Sequence, residues 1–167
     1  MAVVNVKSAQ ITNRDASPRV FNNGGIQGGR LRRGVGSVVI TNTDSIASIY
    51  RCIGEIPSNA FIQDVIIDSP DIGTTTVADI GLYRNTQDGG AVVSVALFGS
   101  AIVLNAGALA RLNVTHESGT FPLASRELPL WSALGLTADP TITYDLCLTL
   151  TGAADATGTV QMTIFYT

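Results

Sequence analysis

The sequence predicts an all-β protein: a jelly-roll or β-sandwich body of about eight antiparallel strands with one short helix, behind an extended N-terminal arm. The arm covers residues 1–35 and the body residues 36–167. Three observations carry this prediction. Runs rich in Ile, Val and Leu alternate with polar residues at a period of two, Gly, Asn, Asp and Pro turns punctuate them, and one stretch only has helical spacing. A parallel α/β fold needs helices between its strands, and the chain lacks them.

In order along the chain, Ala2 to Lys7 reads as a short terminal strand, with Val4 and Val6 opposite Val3 and Asn5. Asn13 to Gly36, NRDASPRVFNNGGIQGGRLRRGVG, contains an Asn pair, glycine clusters and scattered apolar residues, so it reads as an extended arm. Fixing such a segment costs on the order of 20 to 40 kcal/mol in backbone entropy. The expectation is that it orders against a partner. Fully stretched, about 30 residues reach up to about 100 Å, enough to cross to a neighbouring subunit.

Gly36 to Asn42 opens the body as a strand. The stretch from Ser45 to Tyr83 then reads as three strands around which the rest is organised. In the first, Ile46, Ser48, Tyr50 and Cys52 alternate with Ala47, Ile49, Arg51 and Ile53. Pro57-Ser58-Asn59 breaks the run, Phe61 to Asp68 resumes it, and Ser69-Pro70-Asp71 turns into Val77 to Tyr83, where Ala78, Ile80 and Leu82 share a side. Arg84 to Gly90 is a turn-rich loop. Ala91 to Leu104 fits either a strand or a short helix, and Asn105 to Thr120 reads as a long loop. Arg126 to Leu134 is the helix candidate, because Leu130, Trp131 and Leu134 share a face and Gly135 follows as a stop. Thr141 to Thr151 and Gly158 to Tyr166 close the chain as two alternating strands, which the short loop Gly152 to Thr157 would join into a hairpin.

The chain's 167 residues suit one domain. No uninterrupted apolar run approaches the ~20 residues that span a bilayer, so a soluble protein without a membrane partner is expected. The start, MAVVNVKSAQ, has no basic patch followed by an apolar core, so synthesis in a cytoplasm is the expectation. Charge is unevenly placed. Residues 1–43 hold six basic side chains (Lys7, Arg14, Arg19, Arg30, Arg32, Arg33) and one acidic (Asp15), net +5, while the remainder holds four basic and twelve acidic, net −8. Cys52 and Cys147 both fall in strand-like runs; buried reduced thiols are expected, with a disulfide between neighbouring strands as the alternative, and two cysteines make no zinc set.

Catalytic patterns are missing. A P-loop needs Lys and then Ser or Thr after its last glycine, but Gly29 is followed by Arg30 and Leu31. His116-Glu117-Ser118 lacks the G-x-S-x-G elbow, and one histidine leaves no second ligand of that type for a metal. Asp64 and Asp68 would stand ~13 Å apart on a strand, too far for a glycosidase pair. Asn113-Val114-Thr115 fits the glycosylation pattern, which carries little weight without a secretory signal. No enzyme, catalytic residue, metal or cofactor is expected. Arg30, Arg32 and Arg33 suggest phosphate contacts, but no basic face with stacking aromatics accompanies them; a basic segment lying on an acidic protein surface is the favoured reading, and nucleic acid is not an expected partner. Exposed ion pairs contribute only ~0 to 1 kcal/mol each, so apolar residues must supply most of the arm's affinity. The candidate partner-binding residues are therefore Val3, Val4 and Val6, through strand addition, together with Arg14, Arg19, Val20, Phe21, Ile26, Arg30, Leu31, Arg32 and Arg33.

Four strings add a family resemblance: SIYRCIGEIPSNAFIQDVIID (Ser48 to Asp68), ADIGLYRNTQDGGAVV (Ala78 to Val93), VTHESG followed by LPLWSALGL (Val114 to Leu136), and YDLCLTLTGAADATGTVQMTIFY (Tyr144 to Tyr166). In these the body resembles the capsid decoration, or cement, proteins of tailed bacteriophages, which have a jelly-roll fold. The arm carries no comparable match. The resemblance implies a noncatalytic virion structural protein, made in the host cytoplasm, that sits on the outer capsid surface. Its partners would be the major capsid protein and itself, as a homodimer or homotrimer, and bridging capsid subunits would stabilise the shell. Linked contacts of this kind gain ~10² to 10⁴ by effective concentration. The alternative is a receptor- or carbohydrate-binding β-sandwich of a phage tail or cell surface. Such sites usually display aromatics on loops, whereas Trp131 falls in the helix candidate and most Tyr and Phe fall in strands.

Overall fold

The computed structural model describes residues 6–167. Most of the expected terminal strand, including Val3 and Val4, lies outside the described residues. Eight strands follow the arm: β1 (Arg32–Ile40), β2 (Ile49–Pro57), β3 (Ile62–Ser69), β4 (Val77–Arg84), β5 (Val92–Val103), β6 (Leu109–Asn113), β7 (Thr143–Leu150) and β8 (Gly158–Tyr166). They form two four-stranded sheets, ordered β1-β8-β3-β6 and β2-β7-β4-β5, with every pairing antiparallel. First strand pairs with last, second with seventh, third with sixth and fourth with fifth. A long antiparallel ribbon folded at its middle and rolled up gives this nesting, which is the jelly-roll wrap of a β-sandwich.

The core follows from the period of two. Tyr144, Leu146, Leu148 and Leu150 of β7 are buried on one side of their strand, as are Val160, Met162 and Ile164 of β8 and Ala78, Ile80 and Leu82 of β4. Where the two sheets converge, Gly36 of β1 meets the backbone of β2: a Cβ at Gly36 would lie 1.7 Å from the Cys52 carbonyl oxygen. Glycine is the residue that permits this approach.

Several expectations are corrected. β7 and β8 do not form a hairpin; they lie in opposite sheets. Each has a fully apolar face, and the connection lets those faces meet across the sandwich rather than lie side by side. The loop between them is anchored to the start of β4 and to the connection before it: Gly152 N–H donates to Val77 O at 3.0 Å, and the Asp155 carboxylate accepts Thr74 N–H at 2.9 Å. The simple alternation expected before Pro57 is broken by two register shifts in β2, between Arg51 and Ile53 and between Ile53 and Ile56. Bulges of this kind change which face a side chain takes. Ile49 is accordingly exposed while Ile53 and Ile56 are buried, and Ile46, in the turn before β2, is exposed as well.

The ambiguous stretch from Ala91 is the strand β5, and the expected long loop contains the edge strand β6. The helix expected over Arg126 to Leu134 is divided into a 3₁₀ turn, Leu123–Glu127, and a single α turn, here α2, Leu130–Ala133. Pro129 explains the break, since it lacks an N–H and drives the preceding residue out of helical conformation; Leu128 has φ −113° and ψ 145°. Leu130 is fully buried there, and Trp131 and Leu134 are half-buried. β1 begins at Arg32 rather than Gly36, so Arg32 and Arg33 pair with Tyr166 and Phe165 of β8. The arm is not extended throughout either: α1 spans Ala9–Asp15, capped by Ser8, whose Oγ accepts the Ile11 N–H at 3.3 Å.

Candidate functional site

The arm makes a small hydrogen-bonded knot and then a fixed joint with the body. In the knot, Asn22 is the hub. Its amide donates to the Gln27 side chain at 2.7 Å and to Gln10 O at 3.4 Å, while its oxygen accepts from the Asn13 amide at 3.0 Å. Val20 N–H donates to Asn13 O at 3.1 Å. α1 and residues 20–27 are thereby held together, although no residue of α1 is buried. Lys7 and Arg14 both pair with Asp15, at 2.9 and 2.8 Å. The Arg14 guanidinium first, then Lys7, holds the Asp15 carboxyl below its ordinary range.

The apolar candidates of the arm face solvent. Val6 and Phe21 are each 84% exposed, Leu31 58% and Val20 50%. Arg19 sits over the Phe21 ring, 5.5 Å from its centroid. Ile26 is half-buried and donates its N–H to Asn23 O at 3.0 Å. The structure thus gathers Arg14, Arg19, Val20, Phe21 and Ile26 near the knot, and places Arg30, Leu31, Arg32 and Arg33 at the joint.

At the joint, the Gly24–Gly29 loop lies on the end of the sandwich. A Cβ at Gly25 would be 2.3 Å from the Phe61 ring. Thr167 Oγ1 donates to Gly25 O at 2.7 Å, and Phe61 and Thr167 exchange backbone hydrogen bonds at 3.0 and 3.1 Å. Phe61, Asn59, Tyr166 and Thr167, which line the space beneath the loop with Arg30 and Arg32, were not among the sequence candidates. The one signal available was the Asn-Asn-Gly-Gly run: Asn23 Oδ1 accepts the Gly25 N–H at 2.8 Å, an Asx turn that sets the loop's start.

None of the four ion pairs among the described residues involves Arg19, Arg30, Arg32 or Arg33. Three body carboxylates are occupied within the body: Asp145 pairs with Arg51 at 2.7 Å, Asp64 with Arg126 at 3.0 Å, and Asp68 accepts the Arg111 N–H at 2.7 Å.

The His116-Glu117-Ser118 run is spent on loop structure. His116 Nδ1 lies 2.6 Å from Phe121 O, with the two rings stacked at 5.7 Å; Glu117 accepts the Ser100 N–H, and Ser118 donates to Leu97 O. Among the described residues no group of three His, Cys, Asp or Glu side chains is placed to hold a metal ion, and no helix is long and apolar enough to cross a membrane. Cys52 and Cys147 are free thiols, and burial pushes each up to about 12.

The molecule is therefore a β-sandwich carrying a cationic arm with apolar side chains presented to solvent. No family model matches the sequence, and no curated protein matches it. Among solved structures, the chain is similar to one described as "Cyanophage Pam1 capsid asymmetric unit", with a TM-score of 0.54 and 19% sequence identity over 99% of this chain and 98% of that one. At this identity the likeness is one of fold.

Proposed function

We propose that the protein is a noncatalytic structural component of a phage virion that decorates the outer surface of the capsid and stabilises it by bridging major capsid protein subunits. The observation that carries this reading is the end-to-end likeness of fold to a chain of a cyanophage capsid asymmetric unit, covering 98% of that chain. The division into an arm (1–35) and a body (36–167) belongs to the same reading. The body supplies a rigid block, and the arm supplies Val20, Phe21 and Leu31, apolar side chains that are exposed within the subunit and available to a neighbour. Self-association as a homodimer or homotrimer would multiply these modest contacts.

Cosedimentation with undecorated phage heads tests the proposal, using the full-length protein and a version lacking residues 1–22. That deletion removes α1 and Phe21 but keeps the Gly24–Gly29 joint. Full-length protein should pellet with heads and the truncated form should bind at least tenfold more weakly, roughly the effect of losing one large apolar anchor. Absence of head binding by the full-length protein, with retention on glycans or cells, would replace the capsid reading with that of a receptor-binding sandwich. Sedimentation of the isolated protein checks the oligomer.

A further inference from the structure

Beneath the Gly24–Gly29 loop a cleft of about 310 Å³ opens toward the Pro57–Phe61 turn. Arg30 and Arg32 line it, with Asn59, Tyr166 and the backbone of Gly25 and Gly29. Two guanidinium-bearing residues with no carboxylate partner among the described residues thus line one open cleft. The nearest acidic residue by sheet register is Asp64, across β8 from Arg33 through Phe165, and it is engaged with Arg126 at 3.0 Å and with the Asn113 amide at 2.8 Å. Thr167 also lines the cleft, but its hydroxyl is committed to Gly25 O and its backbone to Phe61. Among the described residues no carboxylate lies within ion-pair distance of Arg30 or Arg32.

The wall is built in advance. Asn23 sets the loop through Gly25 N–H, Ile26 N–H and Gln27 N–H, and the Gly25–Phe61 contact fixes the loop to the body. A preformed wall lowers the ordering cost that binding must overcome.

We infer that this cleft is a binding site for a carboxylate side chain on an acidic segment of a partner protein, an assignment that rests on the arm being a partner-binding element. Guanidinium groups match carboxylates through paired N–H donors, and Asn59 can add an amide donor. Size and charge argue for a peptide side chain rather than a nucleic acid. The cleft, at about 310 Å³, has room for a side chain, and a phosphodiester chain leaving it would run onto a body with four basic and twelve acidic residues, net −8.

The test titrates full-length protein into a fluorescent oligo-glutamate peptide at roughly 0.15 M salt, with an oligo-glutamine peptide, a single-stranded oligonucleotide and inorganic phosphate as the other probes. Saturable binding of oligo-glutamate is expected, with none of oligo-glutamine. Arg30→Gln or Arg32→Gln should each weaken it about three- to tenfold, and the double variant should abolish it. Arg111→Gln, on the edge strand β6, should leave it unchanged, and thermal melts should show all variants folded. Failure of wild type to bind oligo-glutamate, equal binding by the double variant, tighter binding of the oligonucleotide, or displacement by an equal concentration of phosphate would each overturn the assignment. Oligo-glutamate binding that persists when head binding fails would sink the capsid reading alone; head binding by a wild type that fails to bind oligo-glutamate would sink the cleft alone.

Discussion

At the scale of single residues, two aspartates hold the loops that connect the sheets. Asp44 accepts the Tyr50 hydroxyl at 2.5 Å and the Thr41 N–H at 2.7 Å, and Asp155 accepts the hydroxyl and N–H of Thr74. The Tyr50 hydroxyl first lowers the Asp44 carboxyl below its ordinary value of 3.8, and the Thr74 hydroxyl first does the same to Asp155. Because the unfolded chain takes up these protons at higher pH, the stability they supply is complete above about pH 4 to 5 and is lost as pH falls through the lower folded values. Urea midpoints of wild type and Asp155→Asn should therefore differ most near neutral pH and converge in acid; a gap that widens on acidification would contradict this. Gly36→Val forces a side chain onto the Cys52 carbonyl and should cost about 3 kcal/mol in denaturant unfolding. Ala101 has φ 52°, in the left-handed region, so Ala101→Gly should gain about 1 kcal/mol in the same measurement. Cys52 and Cys147, raised by burial, should resist a thiol reagent at neutral pH until the protein is unfolded, and rapid labelling of native protein would show that the strands around them open.

At the scale of elements, periodicity located the apolar faces but not the partners of each strand. The alternation of Tyr144 to Leu150 and of Val160 to Tyr166 is present in the structure, yet whether two such strands pair or face each other depends on the anchoring of Asp155 and Gly152 by residues some eighty positions earlier. β6 escaped notice because its residues are mostly exposed, leaving no alternation to read. α1 escaped because it has no buried face, its hold being Ser8 and the Asn22 knot. Since α1 buries nothing, removing residues 1–22 should change the unfolding free energy of the body by less than about 0.5 kcal/mol. Leu130→Ala, by contrast, empties a fully buried site beneath Pro129 and should cost about 2 to 5 kcal/mol. Thermal or chemical melts distinguish the two.

At the scale of the whole molecule, the candidate site was half legible. The arm's glycines and arginines announced themselves in sequence, but Asn59, Phe61, Tyr166 and Thr167 reach the same place only because β1 lies against β8 and β8 against β3. No local pattern can report that junction. The same nesting has a mechanical consequence. The arm enters β1 at Arg32, and β1 lies antiparallel to β8 through nine consecutive register pairs, from Arg32 with Tyr166 to Ile40 with Gly158. Inter-strand hydrogen bonds run perpendicular to the strands. Tension applied through the arm along β1 therefore loads that whole ladder in shear, all rungs at once, instead of peeling it from one end. The Gly24–Gly29 joint, with few bonds to the body, would release first and lengthen the tether, while the sandwich behind it stays closed.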